Sequence, residues 1–201
     1  MKTKCILVLA ALLAVSCNTT PEVKDRTEIW RGNYETFRQS PARANHIYVD
    51  SQVVDELKPE TTSIHLSRSE QRGQLLHKDE YVAIDFPIST GRSGYTTPAG
   101  PFKIISKKDY HRSNLYGDFV DAETGKVVER NVSTRNDTPP EGADFRGASM
   151  PHWMRLTNSG VGLHTGEVPG YPASHGCIRV PVNIMPDIYA KAPINTPVTI
   201  E

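Results

Sequence analysis

Gly162-Leu163-His164-Thr165-Gly166-Glu167-Val168-Pro169-Gly170-Tyr171-Pro172-Ala173-Ser174-His175-Gly176-Cys177-Ile178-Arg179-Val180 is where unusual residues crowd most densely. It holds two of the seven histidines together with Cys177. Val161 to His164 alternates as a strand does and runs into a loop rich in glycine and proline. Turn positions at Gly166, Pro169-Gly170 and Pro172 let the chain double back and set His164 beside Cys177. Nucleophilic chemistry needs that neighbour, because a free thiol with a pKa of about 8.5 holds little thiolate at neutral pH and an adjacent imidazole can take its proton. Gly176, without a Cβ, lets its peptide approach a substrate oxygen closely, and backbone N–H groups near Cys177 could stabilise an oxyanion. Taken singly, other residues here have plainer readings: Pro169-Gly170 as a turn, Ser174 as a local cap, Arg179 as a surface charge. A transition-metal site of His164, His175 and Cys177 lacks a clear fourth ligand and any CxxC or HExxH spacing, so neither metal nor cofactor is expected.

Working outward, strand signals dominate. Ser63 to Leu66, Gln74 to His77, Tyr81 to Ile88, Phe102 to Ser106, Met154 to Thr157, Val161 to His164 and Pro197 to Ile200 are short runs rich in β-branched or aromatic residues, separated by Gly, Pro, Asn and Asp. Asp50 or Ser51 can cap a short helix through Val53, Val54 and Leu57, closed by Lys58-Pro59. No long 3.6-residue period competes, which predicts a mostly β domain with one or two short helices. Lys107 to Met150 is polar and irregular and reads as a long excursion over the surface.

At the other end, Lys2 and Lys4 precede the apolar run Cys5 to Val15, about eleven residues and too short to span a bilayer comfortably. This reads as an export signal over residues 1–16. Leu13-Ala14-Val15-Ser16-Cys17 resembles a bacterial lipobox, in which cleavage before the cysteine leaves Cys17 to carry a lipid; an ordinary signal peptide or an uncleaved anchor is the alternative. Asn18, in place of an aspartate that would retain the lipoprotein at the inner membrane, turns the expectation towards the outer membrane. Residues 17–41 read as a tether, with a helical turn or two around Trp30 to Phe37. Loss of Cys5 and lipidation of Cys17 would leave Cys177 as the folded domain's single thiol, so no internal disulfide could form. The 23 basic and 23 acidic residues cancel. No basic excess points to nucleic acid as a partner.

At Ser174-His175-Gly176-Cys177-Ile178-Arg179 the sequence resembles the L,D-transpeptidase (YkuD-type) catalytic domain, whose signature is an upstream histidine followed by Ser/Thr-His-Gly-Cys. Ser89-Thr90-Gly91-Arg92-Ser93-Gly94-Tyr95-Thr96-Thr97-Pro98-Ala99-Gly100-Pro101-Phe102 looks like that family's substrate-side hairpin. Met150-Pro151-His152-Trp153-Met154-Arg155 precedes the loop as in its Pro-Gly-Tyr-Pro-Ala-Ser-His-Gly-Cys branch. The resemblance covers about Thr62 to Glu201. Two departures, a shorter His164–Cys177 loop and Arg179 where many members carry asparagine, both fit that branch.

The resemblance implies a β-sandwich of mixed sheets, with residues 42–201 as the catalytic domain. Cys177 would be the nucleophile and His164 the general base and later acid, oriented by a main-chain carbonyl of Thr165 or Gly166. His175, Gly176 and Ser174 would shape the oxyanion loop. Arg179 is a candidate for holding a substrate carboxylate, because its planar fork suits one. Tyr171 and Trp153 are candidates for lining the cleft. The implied donor is a peptidoglycan stem tetrapeptide that loses D-alanine and leaves a thioester. An amine of a second stem or of a protein lysine would resolve it, in the envelope of a bacterium and facing the periplasm. A hydrolase using water as acceptor, and a non-catalytic wall-binding lipoprotein, are the competing readings.

Overall fold

The computed structural model describes residues 28–201. The expected signal peptide, Cys17 and the first part of the tether lie outside these residues. In chain order the elements are β1 (Ile29–Trp30), α1 (Tyr34–Gln39), a 3-10 turn (Pro41–Ala44), β2 (Ile47–Val49), α2 (Ser51–Glu56), β3 (Thr62–Ser67), β4 (Arg72–His77), β5 (Tyr81–Pro87), β6 (Gly100–Lys103), β7 (Ser106–Lys108), β8 (Arg112–Asp121), β9 (Val127–Ser133), β10 (Ala143–Ser149), β11 (Trp153–Arg155), β12 (Gly162–Thr165), β13 (Ile178–Val180), α3 (Met185–Lys191) and β14 (Pro197–Ile200). They form a seven-stranded sheet in the order β1-β2-β5-β4-β3-β14-β6, a four-stranded sheet β13-β12-β11-β7, and a three-stranded sheet β10-β8-β9. Three pairs are parallel, β1 with β2, β3 with β14 and β12 with β13, so the two larger sheets are mixed.

Alternation explains why the larger sheets share one core. Along β14, Pro197 and Thr199 are exposed while Val198 and Ile200 are buried, as a period of two requires. Leu66, Leu75, Phe86 and Ile200 of the seven-stranded sheet join Met154, Leu163, Ile178 and Val180 of the four-stranded one in a single buried cluster. Met185 and Ile188 of α3 complete it. The α2 helix starts as read: the Asp50 carboxylate accepts from the Gln52 and Val53 amides at 3.0 and 3.1 Å.

Two expectations need correction. The part of the expected tether from residue 29 onward is instead built into the fold. Ile29–Trp30 pairs with β2, and Phe37, fully buried, stacks on Tyr48 with ring centres 5.6 Å apart. A buried charge network fixes this segment further. Asp85 is wholly buried and accepts from Arg72 Nε at 2.8 Å, Arg43 Nε at 3.1 Å and Tyr34 OH at 3.0 Å. Burying that carboxylate is tolerable only with such partners.

The excursion between β7 and β11 is likewise not irregular: β8, β9 and β10 form a regular antiparallel sheet. Most of its residues stay exposed or half-exposed, so the alternation that marks a strand is missing. Its small interior is Phe119, Val120 and Val132, with Phe145 edge-on to Phe119.

Candidate active site

The four-stranded sheet turns one face to the core and the other to a cleft of about 610 Å³. Met154, Leu163, Ile178 and Val180 point inward, so their strand neighbours point outward. Registers then order the outer face. Arg179 pairs with His164, and Lys108 with Trp153; the Trp153 and His164 rings, 6.2 Å apart, join these into one row. Arg155 pairs with Gly162 and with Ser106. Carrying the β12–β13 register back one residue from Leu163–Ile178 sets Cys177 beside Gly162, in the second row. His164 on β12, Cys177 just before β13 and Arg179 on β13 therefore share one face, the first two brought together from thirteen residues apart along the chain. A side chain at Gly162 would collide with the Met154 carbonyl, 2.3 Å from an ideal Cβ, and with the Trp153 ring.

His164 is buried, and its Nδ1 lies 2.8 Å from the Thr165 carbonyl oxygen. A carbonyl only accepts, so Nδ1 carries the proton and Nε2 keeps its lone pair. Burial holds this imidazole down to about 4; the Thr165 bond pulls upward, and Arg179 and His111 push it lower. Burial raises the Cys177 thiol, against the smaller lowering effects of a Gly162 backbone hydrogen bond and Arg179. The thiol also donates to the Gly160 carbonyl at 3.6 Å. At rest the imidazole is thus neutral and the thiol protonated, a state in which His164 Nε2 can accept a proton.

His175 also lines the cleft. Its Nε2 lies 2.9 Å from Arg92 Nη2. A guanidinium only donates, so Nε2 accepts and the proton sits on Nδ1. The ring stacks on Tyr116 at 4.2 Å and meets the edge of Tyr95 at 4.8 Å. Burial, then Arg92 and Arg179, depress its pKa.

The loop before Cys177 is fixed by its own polar groups. Gly176 has φ +112°, which a side chain would resist. Its amide, expected to face an oxyanion, instead donates to Ser174 Oγ at 3.0 Å. The Ser174 hydroxyl in turn donates to the Cys177 carbonyl. Thr97 donates to the Gly176 carbonyl at 2.9 Å and accepts from the Gly91 amide at 2.9 Å, binding the 89–102 segment to the loop. Thr165 Oγ1 meets His152 Nδ1 at 3.0 Å. The stem of Arg179 lies over Gly166, whose ideal Cβ would be 3.0 Å from Arg179 Cγ. Tyr171, expected in the cleft, stands outside its lining and is 61% exposed; its carbonyl accepts from Ser89 Oγ at 2.8 Å. Trp153 is both buried and part of the cleft wall. Among the described residues, no group of three or more His, Cys, Asp or Glu is arranged to hold a metal ion.

A family model of the L,D-transpeptidase catalytic domain (YkuD) matches residues 61–200. The chain belongs to this family. Solved L,D-transpeptidases share the fold. One from Mycobacterium smegmatis is 18% identical with a TM-score of 0.52, covering 70% of this chain and 58% of its own. Another, in complex with imipenem, is 20% identical with a TM-score of 0.52, covering 70% and 59%. A cysteine-to-serine mutant of the Enterococcus faecium L,D-transpeptidase is 25% identical with a TM-score of 0.50, covering 70% and 50%. The chain thus spans between a half and three fifths of these relatives. Curated proteins give no match.

Sequence reasoning missed several parts of this L,D-transpeptidase cleft. Arg92 and Tyr95 sit in a segment already read as substrate-side, but nothing in it tells that they flank His175. Tyr116, His111, Lys108 and Arg135 come from the excursion and line the cleft. No motif marks them.

Proposed function

We propose that this protein is a cysteine-dependent L,D-transpeptidase acting on peptidoglycan stem tetrapeptides. The observation that carries the reading is the shared outer face of β12 and β13, where His164, its Nδ1 committed to Thr165, stands with Cys177 and Arg179. In the first half-reaction Cys177 Sγ attacks the carbonyl between the L-centred third residue and the terminal D-alanine while its proton passes to His164 Nε2. The oxyanion so formed collapses, the C–N bond breaks, and His164 returns the proton to the departing D-alanine nitrogen. A thioester remains. An acceptor amine then gives a proton to His164 and attacks the thioester, and the Cys177 sulfur leaves and is reprotonated. Because the Gly176 amide is committed to Ser174, the Cys177 amide is our choice of oxyanion donor.

We further propose export with a lipid on Cys17, which would hold the domain at the periplasmic face of the outer membrane. Intact mass and membrane fractionation test this; a mature chain starting elsewhere or lacking lipid refutes it.

The activity is tested by incubating the protein with tetrapeptide muropeptides and following D-alanine, cross-linked dimers and tripeptides by mass. Dimers with D-alanine release are expected. Tripeptides alone would make the protein a hydrolase, and no turnover would leave a binding protein. Imipenem is expected to acylate Cys177, giving an adduct that Cys177→Ser abolishes.

A further inference from the structure

The cleft carries a charge imbalance absent from the chain as a whole. Twenty-three Lys and Arg balance 23 Asp and Glu overall. Yet Lys108, Arg135, Arg155 and Arg179 all line the cleft, and no Asp or Glu does. Arg155 is partly engaged within the fold, donating to the Thr157 and Asn158 carbonyls at 2.8 and 2.5 Å. Among the described residues, Lys108, Arg135 and Arg179 have no carboxylate within ion-pair distance. Such a concentration of one sign raises the local potential and favours an anionic ligand.

The registers also give spacing. Arg179 and Lys108 end one row, with His164 and Trp153 between them. Adjacent strands lie about 4.8 Å apart, so these two cations are on the order of 14 Å apart at the backbone. Arg135 comes from the turn after β9, on the excursion. A peptide extends about 3.4 Å per residue, so carboxylates on the second and third residues of a stem lie within about 10 Å of the attacked carbonyl. That is inside the row. The histidines report the same field: after burial, His111 is held down by Lys108 and Arg155, His164 by Arg179, and His175 by Arg92 and Arg179.

We propose that Lys108 and Arg135, together with Arg179, read free carboxylates on the donor stem, so that the cleft selects stems with free α-carboxylates over amidated ones. This rests on the L,D-transpeptidase reading.

The test compares two synthetic tetrapeptide donors, one with free carboxylates on its second and third residues and one amidated at both. Wild type is expected to favour the free donor by about ten-fold or more in kcat/KM, the scale of one charge-assisted contact. Lys108→Gln and Arg135→Gln are expected to raise KM for the free donor with kcat unchanged, and to treat the amidated donor as wild type does. Both residues are exposed, so the variants should keep the wild-type melting temperature. Added salt should erode the preference. Equal use of the two donors by wild type, or equal slowing of both by the variants, overturns the proposal. Calorimetric binding of the same donors to Cys177→Ser separates the two ideas. A retained preference without D-alanine release in wild type would overturn the catalytic reading alone, whereas equal binding would overturn the carboxylate reader.

Discussion

At the scale of single residues, burial governs the protonation of His164 and Cys177. An unfolded histidine titrates near 6.5, whereas folded His164 is held at about 4. Its neutral, base-competent form therefore persists well into acid, and kcat/KM measured on folded protein is expected to keep an acid limb near pH 4. The same shift has a stability consequence. Between those two values the unfolded chain takes up a proton that the folded site refuses, so stability is intact above pH 6.5 and falls as pH drops towards 4. The loss is about 3 kcal/mol in all, and thermal unfolding of His164→Gln should lack that portion of the slope. Cys177→Ser should abolish D-alanine release, His164→Ala should cost about as much, and the double variant little more than either, because the two act as one unit. A serine variant of comparable activity would end the nucleophile assignment. His164 and Cys177 stand out in the sequence because no other stretch combines two histidines, a thiol and so many turn residues. The carbonyl that fixes the His164 tautomer was one of the two the resemblance offered, Thr165 rather than Gly166; the His175 tautomer was not legible, since it depends on Arg92.

Among the elements, the segment from Ser89 to Phe102 and the loop before Cys177 hold each other through Thr97, which is 1% exposed. Thr97→Val keeps the shape but leaves the Gly176 carbonyl and the Gly91 amide unpartnered. It is expected to cost about 1–3 kcal/mol in unfolding free energy and to lower kcat. Thr97→Ser should restore both, and unchanged turnover in the valine variant would remove Thr97 from any role in positioning the loop. Strands β3, β4, β5 and β14 could be read because one face of each is buried and their residues alternate or run apolar accordingly. The β8–β10 sheet could not, because Tyr116, Glu129 and Arg146 look outward on strands whose pairing is backbone-driven and whose side chains meet mainly water or the cleft. The cations Lys108 and Arg135 went unnoticed for the same reason. A surface charge acquires meaning only from the register that carries it to the cleft.

Over the whole molecule, the domain begins earlier than its composition suggests. A chain shortened to start at Ala42 would lose Phe37 from between Tyr48 and Arg72 and the Tyr34 hydroxyl from Asp85. It is expected to be less stable than one starting at Glu28 by at least the roughly 3–5 kcal/mol of a deleted buried phenylalanine. Phe37→Ala in the full chain should recover most of that difference by denaturant titration. Equal midpoints for the two lengths would show residues 28–41 to be dispensable. The segment misled the sequence reading because its anchoring groups are few and polar residues surround them. The parallel pairing of β12 with β13 has a final implication for how the site arises. Two parallel neighbours need a crossover of a dozen or more residues, and here residues 166–177 are that crossover, with no helix to stiffen it. His164 and Cys177 therefore come onto one face only when this long-range closure is complete. Reactivity of Cys177 towards an acylating probe during refolding would time the closure directly, and shortening the loop would disable the enzyme by unlacing its topology without touching a single reacting group.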